Sequence, residues 1–260
     1  MLNPVESGLL IEERRRRICE LLLEEGRVTV EGLASRFGTS QVTIRADLSA
    51  LESAGALTRT HGGALPREEA SDEPLDVKQL QHHAEKVRIA QAAVALIRDG
   101  ETIILDSGTT TLEIARQIKN KQGLQVITNG VNIAAELLDA REVQTFIVGG
   151  TLRVDSASIV GRSTEEMFEQ FSADKLFLSG AGCDPDFGVS GANLEETMVN
   201  RAMLRIAREI ILVADASKFS KRSMVRIAPF SEIDTVISDT GLREEMQEKV
   251  RGMGCNLILA

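Results

Sequence analysis

The stretch at residues 28–48 limits the fold of this chain more than any other part of it. Between Val30 and Phe37, apolar residues recur three and four apart, which is the spacing of one helix face. The segment Gly38–Ser40 interrupts that helix and ends in a residue suited to cap the next one. From Ile44 to Leu51 the apolar residues again share one face. The pattern predicts two short helices joined by a tight turn, a helix-turn-helix at residues 28–47.

The second of these helices has a small, mixed polar face opposite its apolar stripe. Such a face can enter the major groove of DNA, although an ordinary helical hairpin in a protein core has the same spacing. Residues 57–65 decide between the two, because they predict a short β-hairpin, or wing, with glycines at its tip. The candidate DNA-binding residues are Ser40, Gln41, Val42, Thr43, Arg45, Ser49, Arg59 and His61.

The charge balance does not support DNA binding. Lys and Arg total 30 against 39 Asp and Glu, a net charge of −9, whereas DNA-binding domains usually carry a basic face. We expect modest DNA affinity from each copy of the chain, which favours oligomers on repeated sites. The basic run Arg14–Arg17, on a helix predicted over residues 11–25, is expected to be solvated, with one or two arginines within reach of phosphate.

Other functional classes receive little support from the composition. The sequence shows no apolar run of membrane-spanning length and no signal peptide, so a cytoplasmic protein without a membrane partner is expected. Its cysteines, Cys19, Cys183 and Cys255, lack metal or disulfide spacing, and no metal or cofactor is expected. Trp and Tyr are absent, which argues against stacking on single-stranded nucleic acid.

The pattern of the chain changes after a polar, acidic, proline-containing stretch. This stretch predicts a linker at residues 67–77, between a first domain at 11–66 and a second at 78–260. The second domain begins with a helix predicted over 78–97. Short apolar strands then alternate with amphipathic helices, which predicts an α/β domain with a mostly parallel sheet.

Polar residues and glycines follow several of the predicted strands, and ligands of open α/β sheets bind at those carboxyl ends. The segment Asp106–Thr110 leads directly into a helix, whose free N–H groups suit a phosphate. A helix that is merely capped after a strand shows the same pattern, so both interpretations stay open. The candidate ligand-binding residues are Asp106, Ser107, Gly108, Thr109, Thr110, Thr128, Asn129, Gly130, Gly149, Gly150, Gly180, Asp215 and Lys218.

These residue types suit different parts of a sugar phosphate. Asn129 and Asp215 can bond sugar hydroxyls, and Lys218 can meet a phosphate. Glycines such as Gly149 and Gly150 let a ligand approach the backbone. Each of these residues, taken alone, is more common as ordinary turn chemistry.

The motifs of both domains resemble those of the DeoR family of bacterial transcriptional regulators. The first domain has S-x-x-T-I-R-x-D-L followed by T-R-x-H-G-G-A, and the second has D-S-G-T-T-T, T-N-G, G-G and D-x-S-K-F in that order. The resemblance covers residues 11–260, and the residues of these motifs are most similar to those of regulators of amino-sugar catabolism. One departure is Ala46, where many members of the family have a second Arg or Lys, which suggests one fewer DNA contact.

The resemblance implies a winged helix-turn-helix followed by an α/β sensor domain with the fold of ribose-5-phosphate isomerase and the CoA transferases. It also implies a phosphorylated sugar as effector, with Ser107–Thr110 as the phosphate loop, Asn129 in a second loop and Lys218 in a lysine motif. The segment Asn193–Glu196 matches a region that is often acidic in the family.

Two functions of different classes fit this organisation. The first is a transcriptional repressor without catalytic residues, a homo-oligomer (dimer or tetramer) that releases double-stranded operator DNA when a sugar phosphate binds. The second is a sugar-phosphate isomerase with an accessory DNA-binding domain, in which Asp106, Asp215 or Glu196 would be the general base. The winged helix favours the regulator, because an isomerase does not need one. The sequence does not separate a repressor from an activator.

Overall fold

The structure, a computed structural model, describes residues 9–53, 56–60, 62–65 and 75–260. The chain divides into two compact units, Met1–Gln81 and His82–Ala260. Residues 67–74 of the predicted linker lie outside the described residues, and so does the predicted DNA contact His61. The predicted domain limits therefore stay a prediction.

The first unit contains the predicted winged helix. Its helices are α1 (Ile11–Glu25), α2 (Val30–Phe37), α3 (Gln41–Ser53) and α4 (Leu75–Leu80). Its strands are β1 (Val28–Thr29), β2 (Thr58–Thr60) and β3 (Gly63–Leu65), which form an antiparallel sheet in the order β1-β3-β2. Helices α1 to α3 with β1 to β3 are called the head below.

Local capping fixes the turns of the head. The Thr29 hydroxyl accepts a hydrogen bond from the Gly32 amide at 3.1 Å, so the residue that ends β1 also caps α2. Gly38 has a φ of 60°, the left-handed conformation that commonly ends a helix. The Ser40 hydroxyl accepts from the Thr43 amide at 3.1 Å, which confirms the predicted cap of α3.

A seven-stranded parallel sheet forms the centre of the second unit, with strand order β15-β14-β12-β9-β4-β5-β6. Its strands are β4 (Thr102–Leu105), β5 (Leu124–Thr128), β6 (Val143–Ile147), β9 (Ala173–Leu178), β12 (Ala207–Val213), β14 (Thr235–Ser238) and β15 (Asn256–Leu259). The predicted parallel α/β architecture is confirmed.

Short strands outside this sheet are absent from the sequence-based prediction. They form a hairpin of β7 (Thr151–Arg153) with β8 (Ser158–Val160), and an antiparallel sheet of β10 (Gly182–Asp184), β11 (Gly188–Gly191) and β13 (Val225–Ala228). Each is only three or four residues long, too short to show a clear apolar alternation.

Helices cover the parallel sheet. They are α5 (His83–Ala95), α6 (Thr109–Gln117), α7 (Val131–Glu136), α8 (Arg162–Phe168), α9 (Leu194–Ile206) and α10 (Glu244–Gly252). The single helix predicted over 78–97 is wrong, because α4 and α5 are separated by a turn in which His82 has a φ of 50°. No helix in the described ranges is long and apolar enough to cross a membrane.

Apolar side chains fill both faces of the sheet. On β4, Ile103 and Leu105 pack into the core on one face and Ile104 into the core on the other, all with no exposed surface. Burial of each such side chain contributes about 1.5–3 kcal/mol. Coverage on both faces explains why these strands are continuously apolar in the sequence.

Candidate functional sites

Three of the residues predicted to contact DNA are exposed on helix α3. Val42 is 73% exposed, and Gln41 and Arg45 are exposed beside it. Arg45 Nη2 donates to Gln41 Oε1 at 3.1 Å, so the two polar side chains lie together on the surface. Thr43 and Ser49 are half-buried at the edges of this face. The apolar back of α3 lies in the core of the head, so its polar front is available to a partner.

The wing arginine, Arg59, is held against α3. Its Nη1 donates to the Ser49 hydroxyl at 2.7 Å and lies 3.9 Å from the Glu52 carboxylate. Its backbone N–H donates to Glu52 Oε1 at 3.1 Å. Ser49 and Arg59 therefore bond each other in the free protein, and a DNA phosphate that bound Arg59 would compete with these contacts.

The basic run on α1 is not simply a solvated face, and that expectation is wrong for Arg14. Arg14 Nε lies 2.6 Å from Asp47 Oδ2, and Arg15 Nε lies 3.1 Å from Asp47 Oδ1. The side chains of Asp47 and Arg14 are 3% and 12% exposed. A buried carboxylate needs such partners, so these arginines hold α1 to the buried side of α3.

In the second unit, the strand order reverses between β4 and β9. From β4 the chain continues to β5 and β6 on one side, and from β9 to β12, β14 and β15 on the other. The carboxyl ends of β4 and β9 therefore border the crevice in which open α/β sheets commonly bind ligands. Asp106 follows β4 and Ser179 follows β9 at this point. The segment Ser107–Thr110 is called the anion loop below.

Asp106 lies behind the anion loop and is 6% exposed. Its carboxylate accepts from the Ser107 N–H at 2.8 Å, from Asn200 Nδ2 at 2.9 Å, and from both the N–H and the hydroxyl of Ser179. Burial raises the pKa of Asp106 above its ordinary value, and the hydrogen bonds from Ser179, Ser107 and Asn200 oppose that shift. The geometry gives Asp106 a positioning role rather than the predicted direct contact with an effector.

Close packing fixes the shape of the anion loop. A Cβ atom on Gly108 would overlap the Ser179 hydroxyl and lie 2.7 Å from Ser179 Cβ, so only glycine fits there. The Thr111 hydroxyl donates to the Asp106 carbonyl oxygen and to the Gly108 carbonyl oxygen, the latter at 2.8 Å. These contacts hold the loop against the ends of β4 and β9.

The N-terminus of α6 has no side-chain cap, although Ser and Thr surround it. Thr109 and Thr110 are 9% and 5% exposed, and within the described ranges their hydroxyls form no hydrogen bond. The first amides of a helix lack partners within the helix and carry its positive dipole end. Amides and hydroxyls in such an arrangement suit an anion such as phosphate.

The end of β5 contributes one structural residue and one with a free acceptor. Thr128 is fully buried, and its hydroxyl donates to the Leu105 carbonyl oxygen at 2.7 Å and accepts from the Gly130 amide at 2.9 Å. Asn129 is 2% exposed, and its Nδ2 donates to the Ile159 carbonyl oxygen at 3.0 Å. Its Oδ1 has no partner among the described residues, so it is available to a donor on a ligand.

At the end of β12, Asp215 caps the 3₁₀ turn Ala216–Lys218, accepting from the Ser217 amide at 3.1 Å. Burial opposes the ionisation of Asp215, but the charge of Lys218 and the Ser217 hydroxyl outweigh it and hold its pKa below the ordinary value. Asp215 is 1% exposed and accepts from both the amide and the hydroxyl of Ser217, so it orients this turn, and its predicted contact with a sugar stays a prediction. Lys218 is half-buried beside it.

Two of the predicted glycines are explained by chain packing. A Cβ on Gly150 would overlap the Thr164 hydroxyl, and one on Gly180 would lie 2.8 Å from Val189 Cγ1. Gly149 differs, because a Cβ there would meet no atom within 4 Å in the described structure. Close approach of a ligand to the backbone therefore fits Gly149 better than Gly150 or Gly180.

Three polar residues beside the predicted site, Ser179, Asn200 and Asn132, are not among the predicted residues. Ser179 and Asn200 are distant from Asp106 in sequence, and only the fold brings them together. Asn132 follows the T-N-G motif on the first turn of α7, a polar position close to a strand end that could have signalled it. Among the described residues, no group of three His, Cys, Asp or Glu could hold a metal.

Two domain families match the chain. Residues 14–69 match the DeoR-like helix-turn-helix domain, and residues 81–240 match the DeoR C terminal sensor domain. The chain belongs to the DeoR family. This DeoR-family protein is therefore a DNA-binding transcription regulator, as its motifs implied.

Relatives of this DeoR-family protein are named as repressors. A protein of Escherichia coli O157:H7, named for repression of the aga operon, is 40% identical over 250 residues, 95% of this chain and 93% of that protein. The glycerol-3-phosphate regulon repressor of Escherichia coli K12 is 32% identical over 227 residues, 87% of this chain and 90% of that protein. These names give the isomerase alternative no support.

The ribose 5-phosphate isomerase A of Methanocaldococcus jannaschii is a structural neighbour at 17% identity. The likeness covers 54% of this chain and 56% of that chain with a TM-score of 0.41.

Proposed function

We propose that this DeoR-family protein represses a sugar or amino-sugar catabolic operon and leaves its operator when a phosphorylated sugar binds. The observation that carries the proposal is the uncapped N-terminus of α6 at the switch point of the sheet, with the hydroxyls of Thr109 and Thr110 beside it. The names of the two relatives, one for the aga operon and one for the glycerol-3-phosphate regulon, support the effector class.

In this proposal the amides of α6 and the anion loop hold the phosphate, and Lys218 contributes positive charge. Asp106 would be a poor general base, because its carboxylate already accepts hydrogen bonds from three residues, Ser107, Ser179 and Asn200. The relatives are named as repressors, so we assign no catalytic role to Asp106, Asp215 or Glu196. The effector must bind the released state more tightly than the DNA-bound state, since equal affinity for both would shift nothing.

A variant with Lys218→Ala and Thr109→Ala together should bind operator DNA but ignore sugar phosphates, because charge and a hydroxyl are lost from the anion site while the head is unaltered. A mobility-shift titration of an operator fragment with a panel of sugar phosphates measures this. Lys221→Ala, an exposed lysine three positions along the chain, is the matched control and should respond like the parent.

Two results would contradict the assignment. A double variant that released DNA at the parental effector concentration would show that the effector binds elsewhere. If an unphosphorylated sugar released the parent protein from operator DNA at the same concentration, the phosphate group would not be needed for recognition of the effector.

Arg45→Ala should weaken operator binding by about 1–3 kcal/mol if Arg45 reads a base edge. Arg45 is exposed on the polar front of α3, so its removal should leave the fold intact. Arg208→Ala, which removes a 77% exposed arginine of the second unit, controls for net charge and should not change operator affinity. Equal mobility shifts for the parent and Arg45→Ala would exclude Arg45 from the DNA contact.

We also propose that the protein acts as a homo-oligomer in the cytoplasm, where operator DNA lies. Residues 11–65 contain eight Arg and eight acidic residues, so a single head has little net charge with which to attract DNA. Two linked heads gain affinity through high effective concentration. Ile147, on the edge strand β6, and Leu152 and Val154, which follow in the chain, are 47%, 53% and 80% exposed and are candidate contacts for self-association. Light scattering should give at least twice the chain mass of 28.3 kDa. A monomer that bound operator tightly would contradict this.

A further inference from the structure

The first turn of α7 contains a side-chain amide that no contact within the described part of the chain satisfies. Nδ2 and Oδ1 of Asn132 are both buried and lack a hydrogen-bond partner among the described residues, as does Oδ1 of the 2% exposed Asn129. Buried polar atoms in folded proteins are nearly always hydrogen-bonded, so unpaired ones call for an explanation. Within the described ranges, three such atoms from two neighbouring residues follow the same strand.

The amide of Asn132 lies against the anion loop. A Cβ atom on Gly130 would be 3.0 Å from Asn132 Oδ1 and 3.2 Å from Ser107 Cα, so these three residues meet at one point. Asn129 is fixed beside them, because its Nδ2 donates to the Ile159 carbonyl oxygen at 3.0 Å. The unpaired amide atoms therefore stand on the β5 side of the place where α6 would hold a phosphate.

The hairpin β7–β8 and the start of α9 form an outer wall to this place. Ser158 forms an isolated bridge with Gly130, and its hydroxyl donates to Glu196 Oε1 at 2.7 Å. Arg153 Nη1 lies 3.5 Å from the same carboxylate oxygen. Helix α9 also carries Asn200, which donates to Asp106 behind the anion loop. Helix α9 therefore connects the hairpin, through Glu196, to the crevice, through Asn200.

We propose that Asn132, together with Asn129, binds the hydroxyl groups of the effector, and that the sugar extends from the anion loop toward β8. This rests on the proposed function, which it makes more specific. Asn132 offers two donor hydrogens and an acceptor, and Asn129 an acceptor, while a hydroxyl both donates and accepts. Inorganic phosphate, or a phosphate ester without hydroxyls nearby, would leave these atoms unpaired. The subsite therefore selects hydroxyl-rich phosphates.

Calorimetric titrations of the full chain would test this with inorganic phosphate, glycerol 3-phosphate, glucose 6-phosphate, glucosamine 6-phosphate and N-acetylglucosamine 6-phosphate. For the tightest of the three sugar phosphates, Asn132→Ala should lower affinity at least about tenfold. Its affinity for inorganic phosphate should change less than about twofold, because the anion loop is intact. Asn120→Ala, an exposed asparagine of the same unit, should match the parent with every ligand.

Asn132→Ser keeps one donor and one acceptor and should give an intermediate affinity, which keeps the test valid if the alanine variant fails to fold. Equal losses for the sugar phosphate and for inorganic phosphate, or no loss for either, would overturn the subsite alone. Failure of the parent to bind any of the sugar phosphates would overturn the proposed function and this subsite with it.

Discussion

Replacement of Asp47 by alanine should destabilise the head by about 3–5 kcal/mol, because it removes one partner from a buried ion pair. Arg14, whose side chain is 12% exposed, would keep its charge without the carboxylate 2.6 Å away. Hydrogen exchange of the α3 amides in the full chain measures the effect, and operator affinity should fall with the loss of protection.

Two further variants separate the ion pair from a general effect of substitution. Glu20→Ala removes a 33% exposed partner of Arg17 and should cost at most about 1 kcal/mol. Arg14→Met in the Asp47→Ala background should recover part of the loss, since an apolar side chain does not need a partner charge. If hydrogen exchange of the α3 amides were unchanged in Asp47→Ala, the ion pair would contribute no more to stability than an exposed one.

Gly63→Ala should be nearly as damaging, with a cost of about 3 kcal/mol, the upper part of the usual range for overpacking. A Cβ at this position would overlap the Val28 carbonyl oxygen and lie 2.9 Å from Thr29 Cα. Both obstacles are backbone atoms, which cannot rotate away as a side chain can. The pairing of Thr29 with Gly63 would open, and operator affinity should fall.

Gly62→Ala is the matched control, because a Cβ on Gly62 would meet no atom within 4 Å in the described structure. It should leave operator affinity and exchange within error of the parent. The predicted damage from Gly63→Ala extends beyond the wing, since Thr29 also caps α2 and the Gly62 carbonyl oxygen accepts from the Val30 amide at 2.8 Å. Equal operator affinities for the two variants would contradict the close packing of β3 on β1.

Elements set by local sequence could be predicted. The caps at Ser40 and Gly38 and the apolar stripe of α3 are local, and the structure has them as expected. The parallel sheet could also be predicted, because strands covered on both faces have no alternation of polar and apolar residues. The break at His82 has no such signal, since neither glycine nor proline marks it.

The candidate sensor site was only partly predictable, because its geometry depends on distant residues. Asp106 follows a strand, and in the sequence it looks like a residue that faces a ligand. In the structure, its carboxylate accepts hydrogen bonds from Ser179 after β9 and from Asn200 on α9. On α3, Asp47 lies next to the polar front in sequence, and only the packing of α1 shows that it is a buried partner of Arg14. The assigned contacts of both sites stay predictions.

The strand order also has a consequence for synthesis of the protein on the ribosome. Because domains fold as they emerge from the ribosome, the head can fold first. Strands β4, β5 and β6 are neighbours in the sheet and can then pair with one another in the order in which they are made. The crevice beside β4 closes only when β9 is inserted, so until Leu178 has emerged one edge of β4 is open and prone to wrong pairing. We therefore expect nascent chains to acquire the fold that binds DNA before they can respond to an effector.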